Sequence, residues 1–331
     1  MERPIVLEVD DLTVSTRSKH SPQTLVRGVS FDLRDGECLG LVGESGSGKS
    51  LTLRSVIGLL PRTLTVAGGS IRLAPRDGTV CRPFDARAAR GTDIGMIFQE
   101  PMRALNPLMR VETVVGEPLR QHLGLRRRAG LRRAAELLGE VGIADPERVL
   151  QCYPHQLSGG LRQRVMIAAA LACEPRVLLC DEPTTALDVT IQAQIIRLLT
   201  ELATRRGLSI VFVSHDLGVI STIADRIAVM YAGQVVEVGP TAAVLARPAH
   251  AYTDRLIRSV PSVHDGGVAL EAIPGVPPLP TELPAVGCAF APRCHLARGD
   301  CDDARVPLHL VGEAHQSRCL RAADLVLGKA S

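Results

Sequence analysis

Between Cys38 and Ser50 the chain passes from a short apolar run, Cys38-Leu39-Gly40-Leu41-Val42, directly into Gly43-Glu44-Ser45-Gly46-Ser47-Gly48-Lys49-Ser50. No other feature limits the fold so strongly. The Gly-x-x-x-x-Gly-Lys-Ser spacing is that of a phosphate-binding loop. Glycines without side chains let backbone N–H groups turn inward around anionic oxygens, Lys49 meets the outer phosphates, and Ser50 is placed to hold magnesium. Such a loop needs a buried strand before it and a helix after it. Leu51, Leu53, Val56, Ile57 and Leu60 follow at helical spacing until Pro61 stops the pattern. The N–H groups and the helix dipole then converge on one anionic ligand.

Two further apolar runs have the same layout. Val177-Leu178-Leu179-Cys180 ends in Asp181-Glu182-Pro183, and Ile210-Val211-Phe212-Val213 ends in Ser214-His215-Asp216. Between them, Ile191, Ile195, Leu198, Leu199 and Leu202 mark one face of a helix with Asp188 as its N-cap. Ile5 to Val9 and Val29 to Leu33 read as earlier strands. Strand, helix and strand at these lengths specify an α/β fold with a parallel sheet and crossover helices, whose ligands sit beyond the carboxyl ends of the strands.

Residues 1–259 read as one phosphate-binding domain, with an inserted helical subdomain at about 101–170. That insert contains Arg126, Arg127, Arg128, Arg132 and Arg133, a cluster best read as a solvated helix face. Beyond Ser259, Pro261, Pro274, Pro277, Pro278, Pro280 and Pro284 mark a linker over 260–286. A cysteine-containing extension, 287–331, ends the chain.

Composition excludes several alternatives. A chain of 331 residues with 46% hydrophobic residues has ample material for a core. A formal charge of +3 gives no general drive toward nucleic acid, and 2% aromatic residues without Trp leave little for base stacking. No stretch approaches the roughly 20 apolar residues that span a bilayer, and the start, Met-Glu-Arg-Pro-Ile-Val, lacks the layout of a secretory signal. The nine cysteines therefore read as thiols or metal ligands rather than as a disulfide framework.

Hydrolysis of a terminal phosphate needs a metal to bridge oxygens, a positioned water, and charge arranged around the developing negative charge. Asp181, ending a buried strand, is placed to hold magnesium, and Glu182 points a second carboxylate toward the water. Gln99, after Met96-Ile97-Phe98, can touch both metal and water, and His215 can reach the outer phosphate. Each has a plain reading when taken alone: a surface carboxylate pair, a loop glutamine, a satisfied structural histidine.

As an ordered set, Gly43 to Ser50, Gln99, Leu157-Ser158-Gly159-Gly160, Asp181-Glu182, Ala186-Leu187-Asp188 and His215 resemble the ATP-binding cassette (ABC) ATPases over roughly residues 5–245. The resemblance implies a P-loop NTPase domain of ABC type: a RecA-like parallel sheet core, an antiparallel β subdomain and a helical subdomain. It implies ATP and Mg2+ as ligands, with Ser50, Gln99 and Asp181 at the metal. Catalysis falls to Glu182, His215 and Gln99, and Asp188 lies in a dimer-contact loop. It also implies that Leu157, Ser158, Gly159 and Gly160 cap a nucleotide held by Gly43, Glu44, Ser45, Gly46, Ser47, Gly48, Lys49 and Ser50 of an opposing subunit. ATP then closes the pair, and hydrolysis releases it. One departure is that Val14-Ser15-Thr16-Arg17 offers no aromatic residue to stack on adenine, so no residue is assigned that role.

The wording is similar to ATPase subunits of bacterial dipeptide, oligopeptide and nickel importers. Phe98-Gln99-Glu100-Pro101-Met102, Leu105-Asn106-Pro107, His250-Ala251-Tyr252-Thr253 and Gly287-Cys288-x-Phe290-x-Pro292-Arg293-Cys294 extend the likeness over almost the whole chain. That resemblance implies a peripheral protein at the cytoplasmic face of the membrane. Its expected partners are a paralogous ATPase or a second copy, two membrane permease subunits and an extracytoplasmic solute-binding protein, without nucleic acid. Peptides are the expected cargo, with nickel or another small solute as the alternative. Soluble ABC ATPases of DNA repair are a remote alternative, since the segment between Ser50 and Leu157 has no sustained heptads.

Cys288, Cys294, Cys301 and Cys319 follow a Cys-x5-Cys-x6-Cys-x17-Cys spacing that fits close-paired zinc motifs poorly. The importer resemblance implies a [4Fe-4S] cluster on this segment. Zn2+ remains the alternative, with His295, His309 and His315 as further donors.

Overall fold

In the computed structural model, residues 3–18, 20–75, 78, 80–185, 187–259, 273–283, 286–303 and 306–327 are described. Ala186, Pro261, Pro284 and positions 260–272 of the expected linker lie outside them. The chain divides into two compact units. One is built mainly from Leu33–Glu37 and Arg72–Phe212, the other from Glu8–Asp32, Cys38–Ile71 and the described part of Val213–Ser331.

In the second unit, Cys38–Val42 is a strand buried at every position. It pairs in parallel with Arg226–Tyr231, from Leu39 against Arg226 to Val42 against Val229. Antiparallel pairing then adds Gln234–Pro240, His315–Ser317 and His309–Gly312 in turn. Part of the cysteine-containing segment thus supplies strands to the sheet that holds the phosphate-binding loop.

A fully buried carboxylate pins that addition. Glu237 accepts from the backbone N–H groups of Ala249 and His250 at 2.7 and 2.9 Å and lies 2.7 Å from His315 Nε2. Its desolvation cost is offset by these partners. His250 in turn caps the helix Ala251–Arg258, its Nδ1 accepting from Tyr252 N at 3.1 Å. Burial, with Arg318 adding to it, lowers the His250 pKa to about 3 and keeps the ring neutral, as an accepting nitrogen requires. Most of the strands Thr24–Arg34, Ile5–Thr16 and Leu64–Leu73, hydrogen-bonded in that order, also fall in this unit.

The helix after the phosphate-binding loop is shorter than its apolar spacing suggests. It runs Lys49–Val56. Gly58 takes φ 65°, its N–H donates to Ser55 O, and Leu59 N–H donates to Arg54 O at 2.7 Å. This paired closure ends the helix before Leu60.

The first unit carries Val177–Asp181, again buried throughout, paired in parallel with Ile94–Ile97. Five α-helices lie within 101–170, Pro101–Ala104, Val111–Leu123, Arg127–Glu140, Pro146–Gln151 and Gly159–Ala170, with a short 3-10 turn at Pro154–Gln156 before the last. Arg132 and Arg133 pair with Glu136, and Arg133 also with Glu140 and Glu174, as expected of a solvated, charge-compensated face. Asp188 caps Val189–Arg206 by accepting from Ile191 N at 2.9 Å. Ile195, Leu198, Leu199 and Leu202 are its buried face. Among the described residues, no helix is long and apolar enough to cross a membrane.

Gly58→Ala places a Cβ where the backbone is left-handed. It is expected to cost about 1 kcal/mol, read as a lower urea midpoint for the unfolding of the full chain.

Candidate functional site

The phosphate-binding loop starts where the parallel strand ends. Because Val42 lies against Val229, Gly43 falls beside Met230. Its φ is 152°, and a Cβ added there would overlap the Met230 carbonyl oxygen. Only glycine satisfies both conditions.

Lys49 is folded inward with 4% exposure. Its ammonium donates to the carbonyls of Gly43 and Glu44 at 2.7 and 2.9 Å and to Ser47 Oγ at 3.4 Å. A phosphate entering the loop offers stronger, charged acceptors for the same donors.

The loop is also held from behind by Glu44. Its N–H donates to Tyr252 Oη at 2.8 Å, and its carboxylate takes two hydrogen bonds from Arg293, at 2.8 and 3.1 Å. Burial works to lower the Arg293 pKa, but the hydrogen bonds to Glu44 and Tyr231 outweigh it and leave the guanidinium more firmly protonated than usual. Burial pushes the Tyr252 hydroxyl up, so it stays neutral.

His215 belongs to the same unit. It is exposed between the strand Ser209–Ser214 and the helix Leu217–Ile223, which Asp216 caps.

Gln99, Asp181, Glu182, Asp188 and Leu157 to Gly160 belong to the other unit. Parallel register sets their first contact. Ile97 lies against Cys180, so Gln99 and Glu182 leave their strands side by side, and Gln99 Nε2 donates to Glu182 Oε2 at 3.0 Å. Thr185 Oγ1 donates to the same oxygen at 2.9 Å. Glu182 has φ 47°, a left-handed backbone costly for a non-glycine residue and typical of positions kept for chemistry. Asp181, just before it, is fully buried. Cys180 is buried too, and burial, with Asp181 adding to it, raises its thiol pKa, so it acts as a small apolar group.

Ser158 and Gly159 are exposed, whereas Leu157 is buried. Ser158 Oγ accepts from Leu161 N at 3.3 Å and so caps Gly159–Ala170. Because a hydroxyl accepts and donates independently, the Ser158 O–H stays available to an anion in front of the helix. Gly160 packs against Ile191, where an added Cβ would come within 3.0 Å of Cγ2.

All nine cysteines are free thiols. Cys288, Cys294, Cys301 and Cys319 line one small pocket of about 20 Å3, together with His250, Phe290 and Arg321. The Cys288 N–H donates to Cys301 O at 2.8 Å, which closes the ring of backbone around it. Leu296 N donates to Cys294 Sγ and Arg321 N to Cys319 Sγ, both at 3.4 Å. Burial pushes the Cys288 thiol up to about 11, with N–H groups of Phe290 and Ala291 opposing it. Burial likewise raises Cys294 and Cys319. Among the described residues no three His, Cys, Asp or Glu side chains converge closely enough to hold a metal ion. His295 is taken up by Arg255 and His315 by Glu237, and neither lines the pocket.

Thr185, Arg293 and Tyr252 had no assigned part in the sequence reading. Arg293 lies within the cysteine segment and Thr185 just after the carboxylate pair. Contacts across long sequence separations, not local pattern, reveal Arg293 and Tyr252.

Residues 26–185 match the family model described as "ABC transporter", and 236–301 match "Oligopeptide/dipeptide transporter, C-terminal region". The dipeptide transport ATP-binding protein DppD of Bacillus subtilis (strain 168) is 45% identical, covering 95% of this chain and 94% of its own length. Among solved structures, the dimeric ATP-binding cassette MJ0796, in a post-hydrolysis state bound to ADP and Pi, is 29% identical with a TM-score of 0.61. It covers 71% of this chain and 98% of that one. CbiO1 of Clostridium perfringens, part of the ABC transporter complex cbiONQ, is 27% identical with a TM-score of 0.61, covering 74% and 92%.

Thr185→Val removes one of the two described hydrogen bonds holding the Glu182 carboxylate. Turnover of nucleoside triphosphate is expected to fall about tenfold, from roughly 1.4 kcal/mol of lost positioning, with nucleotide affinity unchanged in a binding titration.

Proposed function

The chain belongs to the ABC transporter ATP-binding family, and from that premise we propose that it is the ATP-hydrolysing subunit of an importer of di- or oligopeptides. The observation that carries the peptide reading is the paired match: a cassette over 26–185 and the oligopeptide/dipeptide transporter C-terminal region over 236–301. Identity of 45% to a dipeptide transport subunit over almost the full length supports it.

ATP enters the loop 43–50 and redirects the Lys49 ammonium from loop carbonyls to the outer phosphates. Mg2+, when bound, would supply positive charge that offsets the charge of the phosphates, and Ser50, Gln99 and Asp181 are the residues that would hold it. The burial of Asp181 and the place of Gln99 beside Glu182 support that donor set. Glu182, held by Gln99 and Thr185, orients the attacking water and accepts its proton as the terminal phosphate departs. His215 would contact that phosphate.

Ser158, Gly159 and Gly160 would cap ATP bound to the opposing subunit, at the positive end of the helix Gly159–Ala170, with Asp188 at the contact between subunits. The pair closes only on the triphosphate, because only it reaches both sides. A paralogue or a second copy forms the other half. Two permease subunits would hold the pair at the cytoplasmic face and convert closure into transport, and an extracytoplasmic solute-binding protein would deliver the peptide.

The four-cysteine pocket would hold a [4Fe-4S] cluster. Four thiols line that one pocket, and backbone N–H groups donate to the sulfurs of Cys294 and Cys319, which is the kind of donor set such a cluster uses.

Three outcomes test this reading. Glu182→Gln is expected to keep ATP binding, abolish turnover and trap the closed pair, and substantial residual hydrolysis would refute the role of Glu182. In a strain lacking this chain, labelled peptide uptake should return with the wild-type gene and not with Lys49→Ala. Restored nickel uptake in place of peptide uptake would overturn the cargo. Protein purified without oxygen should carry about four iron and four sulfide per chain, whereas stoichiometric zinc without iron would end the cluster assignment.

A further inference from the structure

The cysteine pocket and the phosphate-binding loop meet at one side chain. Arg293 lies between Cys288 and Cys294, in the tight turn Ala291–Arg293, and is 6% exposed at its side chain. Its guanidinium grips the Glu44 carboxylate with two hydrogen bonds, donates to Tyr231 Oη at 3.2 Å, and donates to the carbonyls of Pro274 and Gly275 at 2.7 and 3.4 Å. Every one of its nitrogens is thereby aimed.

The surroundings leave little freedom. Phe290, next to the turn, packs edge-on against Tyr231 and Tyr252 at 5.2 and 5.4 Å between ring centres. Tyr252 in turn accepts from the Glu44 N–H. Glu44 is therefore held at its backbone and at its carboxylate by residues outside the loop. Closely packed interiors pass on displacements rather than absorb them. The Arg293 backbone is fixed to the same turn that places Cys294, through Arg293 N to Phe290 O at 2.9 Å and Cys294 N to Ala291 O at 3.1 Å.

We propose that Arg293 is a positioning residue of the phosphate-binding loop, through which the four-cysteine segment sets the affinity for nucleotide. Arg293 touches no phosphate. It acts by fixing Glu44, and Glu44 fixes the start of the loop whose N–H groups take up the phosphates. The inference rests on the reading of residues 43–50 as the nucleotide loop.

The test is MgATP binding to the full chain by calorimetry, with thermal unfolding measured alongside in the absence of nucleotide. Arg293→Gln and Glu44→Gln should each weaken binding about tenfold, within the range usual for coupled sites. The double variant should be no weaker than either single one, since both break the same link. Arg293→Lys, which keeps the charge without the two-pronged geometry, should fall between. Cys294→Ser should weaken binding severalfold in the native background and have no further effect beside Arg293→Gln.

Should Arg293→Gln fail to fold, Glu44→Gln tests the same link from the less buried partner. Lys49→Ala separates the two readings. If it abolishes binding while Glu44→Gln and Arg293→Gln leave affinity unchanged and only lower the unfolding temperature, Arg293 is structural and the inference is overturned. Unchanged binding in Lys49→Ala would instead remove the nucleotide-loop reading. A Cys294→Ser effect of equal size with and without Arg293 would overturn the proposed route from the cysteines.

Discussion

The nucleotide loop exists because a carbonyl leaves no room for a side chain. Parallel pairing of Cys38–Val42 with Arg226–Tyr231 brings the Met230 carbonyl against the first residue beyond the strand, and Gly43 alone can turn there. From that turn the chain can lead the loop back to place Lys49 over the Gly43 carbonyl and open the helix Lys49–Val56. The same sheet carries Tyr231, which accepts from Arg293 and packs on Tyr252, the two residues that brace Glu44 directly.

On the carboxylate side the controlling constraint is again parallel register. Ile94–Ile97 beside Val177–Asp181 determines that Gln99 meets Glu182, and the left-handed backbone at Glu182 aims its carboxylate toward Gln99 and Thr185. Strain of this kind persists only where surroundings over-determine it. Here a fully buried strand and two side-chain donors do so.

Much of this was legible in the sequence because it is local. Continuous apolar runs at Cys38, Val177 and Ile210 gave buried strands, and Asp188 and Ser158 sit one residue ahead of helices they cap. Apolar spacing overran the first helix, since Ile57 and Leu60 continue its pattern while Gly58 determines the stop. The strand His315–Ser317 owes its place to pairing with distant Gln234–Pro240, and His309–Gly312 joins the sheet only by pairing with His315–Ser317. For the same reason Arg293 looked like one basic residue in a cysteine segment. Its partner Glu44 is far away along the chain and within hydrogen-bonding distance in space.

Gly43→Ala measures the central claim most directly. With MgATP titrated into the purified full chain, the wild type should bind and the variant should show no measurable binding, while its circular dichroism stays that of a folded α/β protein. Binding by folded Gly43→Ala at the wild-type affinity would contradict the account, because the turn at the strand end would then not be what forms the nucleotide loop.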